Sequence, residues 1–243
     1  MKSEVNAILE RLEASERLVN RLESVAARLT DSPLGGEERG WLAAAARRLS
    51  ASIPAVRAAI ETSLDLPELK ALRAERLTGL EQAWVGSVRE LFGELEKRLG
   101  ANSPLIEALF PHLRFDRIER PGAAQRAFRA EVSTRRTSTY IQRMSADPEY
   151  PFLAGLLEPV ERAERALAAF ESSAPPGEEE LLRLRAEVVE AGQGLSRAQR
   201  QARALAEAAL IDAPELFTEL GFDAPARRRS ARPEASVNDD SES

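Results

Sequence analysis

Cysteine is absent from the sequence and histidine occurs once, as His112. Without thiols there is no disulfide framework and no thiolate metal site, and a single imidazole cannot supply the paired Glu-x-x-His ligands of a di-iron bundle or the Cys/His set of a zinc site. Aromatic residues make up only 5% and lysine supplies three of the 34 basic residues; the arginine bias suggests a GC-rich bacterial genome. No stretch approaches the roughly 18 apolar residues of a membrane span. The opening MKSEVNAILERLEASERL places a charge every few residues, so neither a signal-peptide core nor a transmembrane helix is expected, and a cytoplasmic location follows as the expectation. The phosphate-cradling GxxxxGK[ST] and GxGxxG patterns and the GxSxG nucleophile elbow are missing too. No catalytic residue, cofactor or metal ligand is therefore assigned. His112, between Pro111 and Leu113, reads as a structural or exposed residue.

What the sequence has in quantity is alanine, leucine, arginine and glutamate in amphipathic patterns, with β-branched residues scattered, which is the profile of an all-α fold. Val5, Ile8, Leu12, Val19, Leu22, Ala26 and Leu29 recur at alternating three and four spacings, with Ser15 as the one polar interruption, and predict a long helix over 3–30. Further helices are expected over 37–62, with a kink at Pro54, and over 67–99, stopped by Gly100. A short helix follows, capped by Ser103 and broken near Pro111, and then helices over 123–144, 148–172, with a kink at Pro159, 177–211 and 214–220. The organisation expected is an antiparallel three-helix bundle at 1–100, a short helix and arginine-rich connector at 101–122, a C-terminal helical bundle at 123–220 and a disordered charged tail at 221–243. That makes about six main helices plus short ones.

Two features stand out from this plain pattern. Glycine recurs at 79, 86, 93 and 100. Gly100 is explained as a helix stop. A glycine inside a helix costs roughly 1 kcal/mol relative to alanine, and on a helical wheel Gly79, Gly86 and Gly93 fall on the side opposite the apolar face. Three explanations are open: a central helix packed on both sides, chance, or a groove receiving a partner or a second copy of the chain.

The other feature is EVSTRRTSTYIQRM, which has no apolar side chain from Ser133 to Thr139 and is read as a helix break or a turn exposed on every face. Arg135, Arg136 and Arg143, with the Ser138 and Thr139 hydroxyls nearby, have the chemistry to receive a carboxylate or phosphate, and Tyr140 joins them as a candidate partner-binding residue. Residues 101–146 carry net +4 and 147–220 carry net −8, so neutralisation within the fold competes with an external acidic partner. The net charge of −6 and the thin aromatic content place nucleic acid behind a protein partner.

The function expected is a non-enzymatic helical protein–protein interaction module, an adaptor, scaffold or regulator, with self-association as one form of partnership. The alternative is a regulator that binds nucleic acid or a small anion through 114–143. An enzyme of unrecognised type comes third.

Overall fold

Nine α-helices and no strand occur among the residues described by the computed structural model, which are 3–29, 36–110, 122–172 and 175–222. In chain order the helices are α1 (Glu4–Arg28), α2 (Gly36–Thr62), α3 (Lys70–Leu99), α4 (Pro104–Leu109), α5 (Ala123–Arg136), α6 (Thr139–Ser145), α7 (Leu153–Glu171), α8 (Glu178–Ala209) and α9 (Pro214–Glu219). The expected all-α class is what is found. The expected tail beyond Phe222, and most of the arginine-rich connector with His112, lie outside the described residues.

Local chemistry sets the helix ends. The Ser3 hydroxyl accepts from the Asn6 amide and starts α1, and Ser103 accepts from Leu105 to start α4 with Pro104 at its first position. Ser138 accepts from the Ile141 amide, so the STRRTST stretch resolves into a break, with α5 ending at Arg136 and α6 restarting at Thr139. Gly100 ends α3 at φ 81°, a backbone that side chains disfavour, while its amide donates to the Glu96 carbonyl. α2 and α7 continue through Pro54 and Pro159.

The grouping of these helices departs from the expected three-helix bundle at 1–100. The chain forms two compact units, one built from residues up to Thr62 with those from Leu184 onward, the other from Ser63–Arg183. α3 therefore leaves α1 and α2. Its stripe of Trp84, Val88, Leu91 and Leu95 joins one core with Leu153, Leu157, Val160 and Leu167 of α7. The two helices run antiparallel, because Arg73 near the start of α3 stacks on Phe170 near the end of α7, and Arg98 at the other end stacks on Phe152. Phe92 meets Phe110, and Trp84 meets Phe128, edge to face, which brings α4 and α5 onto the same core.

In the first unit α1 and α2 are antiparallel, tied by Arg57 to Glu16 at 2.7 Å. The place expected for α3 is taken by α8, and it runs parallel to α1. Ile8 lies on Gly192, Arg11 donates to the Ser196 hydroxyl, and the Gln199 amide donates to Ser15, a constant register along both helices. A short loop enforces antiparallel neighbours, but α8 reaches α1 only after the whole second unit, so that constraint is lifted. Ser15, the polar interruption of the α1 stripe, is fully buried; its hydroxyl donates to the Arg11 carbonyl and accepts from Gln199. Both of its bonding capacities are used, which is what makes a hydroxyl tolerable there.

Among the described residues, Gly192 is the helical glycine that a close helix contact requires. A Cβ built on it would meet Cγ1 and Cδ1 of Ile8 at 2.6 Å. Gly192→Ala is expected to destabilise the first unit by about 1–2 kcal/mol, overpacking outweighing the gain in helix propensity. In urea unfolding followed by circular dichroism, Ile8→Val should recover part of that loss in the double variant; additive effects would show that the two residues do not touch.

Candidate functional site

The glycine row on α3 does not sit in a helix crossing. Gly79, Gly86 and Gly93 are exposed, and a Cβ at any of them would find nothing within 4 Å among the described residues. Of the three explanations, a helix packed on both sides is not what is found: the apolar stripe of α3 fills the core of the second unit, and the opposite side, carrying the glycines, is open among the described residues. Beside Gly93 a groove of about 450 Å³ runs between α3 and α7. Leu91, Leu156 and Pro159 give it an apolar lining and Glu90 and Glu94 a negative one. Glu94 is held by Lys97 at 3.5 Å and Arg98 at 3.4 Å. Glu90, one turn earlier, has no ion-pair partner among the described residues and stands as a like-charge neighbour of Glu94, an arrangement relieved by an incoming cation.

The arginines singled out at 135, 136 and 143 are not equivalent. Arg136 reaches from α5 to α7, where it bridges Glu161 and Glu164, the latter at 2.6 Å; its side chain is 10% exposed. Arg135 pairs with Glu131 at 3.0 Å and donates to the Ala108 carbonyl of α4. One turn and more toward the N-terminus of α5, Arg129 pairs with Glu171 at 2.5 Å. The acidic helix α7 thus neutralises α5 from within, the competing outcome anticipated from the charge count. Arg143 and Tyr140 on α6 remain exposed, with no ion-pair partner for Arg143 among the described residues. Ser138 is engaged as the cap of α6.

Against the core, Glu81 and Gln125 are buried next to Trp84, Arg126 and Arg129. The space they enclose is too small to admit even a water. The described residues contain no cluster of three or more His, Cys, Asp or Glu able to hold a metal ion, and no helix long and apolar enough to cross a membrane.

Residue spacing alone did not single out Gly192 or the arginines of α8. The former has a readable signal, since Gly192 falls in the row of Leu184, Val188 and Leu195 and so interrupts an otherwise apolar face. No family model matches the chain, and neither does any curated protein or solved structure.

Proposed function

We propose that the protein is a non-enzymatic interaction module, an adaptor, scaffold or regulator of a bacterial cytoplasm, and that it docks a partner protein on the open side of α3. The observation that carries this reading is the row of exposed glycines on α3, of which Gly93 lines a partly apolar groove. Glycines in an exposed helix cost stability without any return inside the fold, whereas they offer another backbone an approach that side chains would block. The occupant that fits is an amphipathic helix of another protein, with apolar side chains for Leu156 and Pro159 and a basic one for Glu90. Binding of nucleic acid or a small anion through 114–143 is less well supported, because Arg135 and Arg136 are held by carboxylates of the same unit.

The test compares two substitutions at the same sites. Gly86→Ala with Gly93→Ala should raise stability by about 1–2 kcal/mol, since nothing opposes the added methyls. Gly86→Leu with Gly93→Leu should leave the fold intact and abolish capture of the partner that the wild-type chain retains from its native cell extract. Equal recovery of that partner by the leucine variant would remove this face from consideration; a loss of stability in the alanine variant would mean that the face is packed. Light scattering of the same variants covers self-association.

A further inference from the structure

The second half of α8 gathers arginines on one helix without carboxylates among them. From Ala191 to Ala206 the helix has three arginines and no carboxylate. Gly192, Leu195, Ala198, Ala202 and Ala206 bury one side of it, and Arg197, Arg200 and Arg203 are exposed. Several arginines elsewhere are met by carboxylates, at Arg57–Glu16, Arg28–Glu219, Arg73–Asp65 and Arg129–Glu171 among others. None of the three on α8 has an ion-pair partner among the described residues; Arg203 instead lies over the Phe222 ring, 5.5 Å from its centroid.

The surroundings extend the same charge. Arg11 of α1 is drawn to α8 by the Ser196 hydroxyl at 2.8 Å, and Arg21 of α1 donates to the Leu220 carbonyl at 3.3 Å. Each thus meets a neutral acceptor, and neither has a carboxylate in ion-pair range among the described residues. Steps of three residues rise about 4.5 Å and turn back about 60° along a helix, so Arg197, Arg200 and Arg203 form an oblique strip that slants toward the α1 side, where Arg11 and Arg21 lie.

We propose that this face of the first unit, centred on Arg197, Arg200 and Arg203, docks an acidic segment of a partner protein. It is independent of the α3 groove, lying in the other unit and selecting the opposite charge. Carboxylates on alternate residues of an extended chain are about 6.6 Å apart, a spacing flexible guanidinium arms on successive steps of α8 can meet. Guanidinium forks fit carboxylates two-handed. A peptide is favoured over nucleic acid because the strip offers no exposed aromatic for base stacking: Phe222, the ring beside it, is half-buried under Arg203.

The experiment uses the full chain and a fluorescein-labelled peptide of alternating glutamate and serine, titrated at low salt by fluorescence anisotropy. The triple variant Arg197→Gln, Arg200→Gln, Arg203→Gln should weaken binding about tenfold, as expected for the combined loss of three exposed ion pairs. Arg162→Gln, which alters an exposed arginine already paired with Glu158 on α7, should leave it unchanged. Circular dichroism establishes that both variants fold. Absence of saturable peptide binding to the wild type, or equal binding by the triple variant, overturns the proposal. So does tighter binding of a charge-matched oligothymidylate that the triple variant loses, an outcome that would make the strip a nucleic-acid surface.

Discussion

Arg136→Met is expected to destabilise the second unit by about 3 kcal/mol, because it strands two carboxylates that share one buried guanidinium. The side chain of Arg136 is 10% exposed and that of Glu164 20% exposed, so water cannot fully replace the lost partner. Glu161 is closer to solvent and contributes less. The ion pair is not optimal in itself: Arg136 Nε is buried without a hydrogen-bond partner among the described residues. The penalty therefore arises from what remains after the arginine is gone, and Arg136→Met combined with Glu164→Leu and Glu161→Gln should regain most of it. Urea unfolding in a Trp41→Phe background, where Trp84 fluorescence reports the second unit alone, measures both. A loss below about 1 kcal/mol for Arg136→Met would place this pair with ordinary surface ion pairs.

Trp84→Ala should cost about 4 kcal/mol, the range for removing a large aromatic from a core. Trp84 is 1% exposed and sits where α3 meets Phe128 of α5, with Leu167 of α7 in the same core. Its indole Nε1 is buried without an acceptor among the described residues, so part of its packing energy is offset by an unmet donor. Trp84→Phe removes that donor along with one ring and is expected to cost no more than about 1.5 kcal/mol. If the phenylalanine variant lost as much as the alanine variant, the indole nitrogen would have to be bonded. Hydrogen exchange of α3 amides, which does not rely on the deleted fluorophore, provides the readout.

These two residues illustrate what the chain makes readable. Periodicity places Trp84 in an apolar row, and the run of unlike charges between 101–146 and 147–220 anticipates that arginines such as Arg136 meet acidic helices. Helix ends are legible where a single residue decides them, as with Ser103 and Gly100, whereas the cap at Ser138 divides a stretch expected as one helix over 123–144. Which helix packs on which is not, since an apolar stripe declares that it needs cover and not what covers it. α1 and α2 would accept α3 by pattern, yet α8 takes the place, through one glycine and a serine that a wheel of either helix shows only as blemishes. The glycines at seven-residue spacing drew attention by their regularity, and the close contact lies at Gly192, which belongs to no regular series.

The first unit's discontinuity has a bearing on how the protein is made. α1 and α2 leave the ribosome about 120 residues ahead of α8, a lag of roughly 10 s at ordinary elongation rates. Throughout that interval the side of α1 bearing Ile8 and Ser15 lacks the helix that will bury it, while Ser63–Arg183 contains everything its own core uses. The inserted part is thus able to complete itself first, and the nascent N-terminal hairpin is the stage at which a chaperone would find apolar surface to hold.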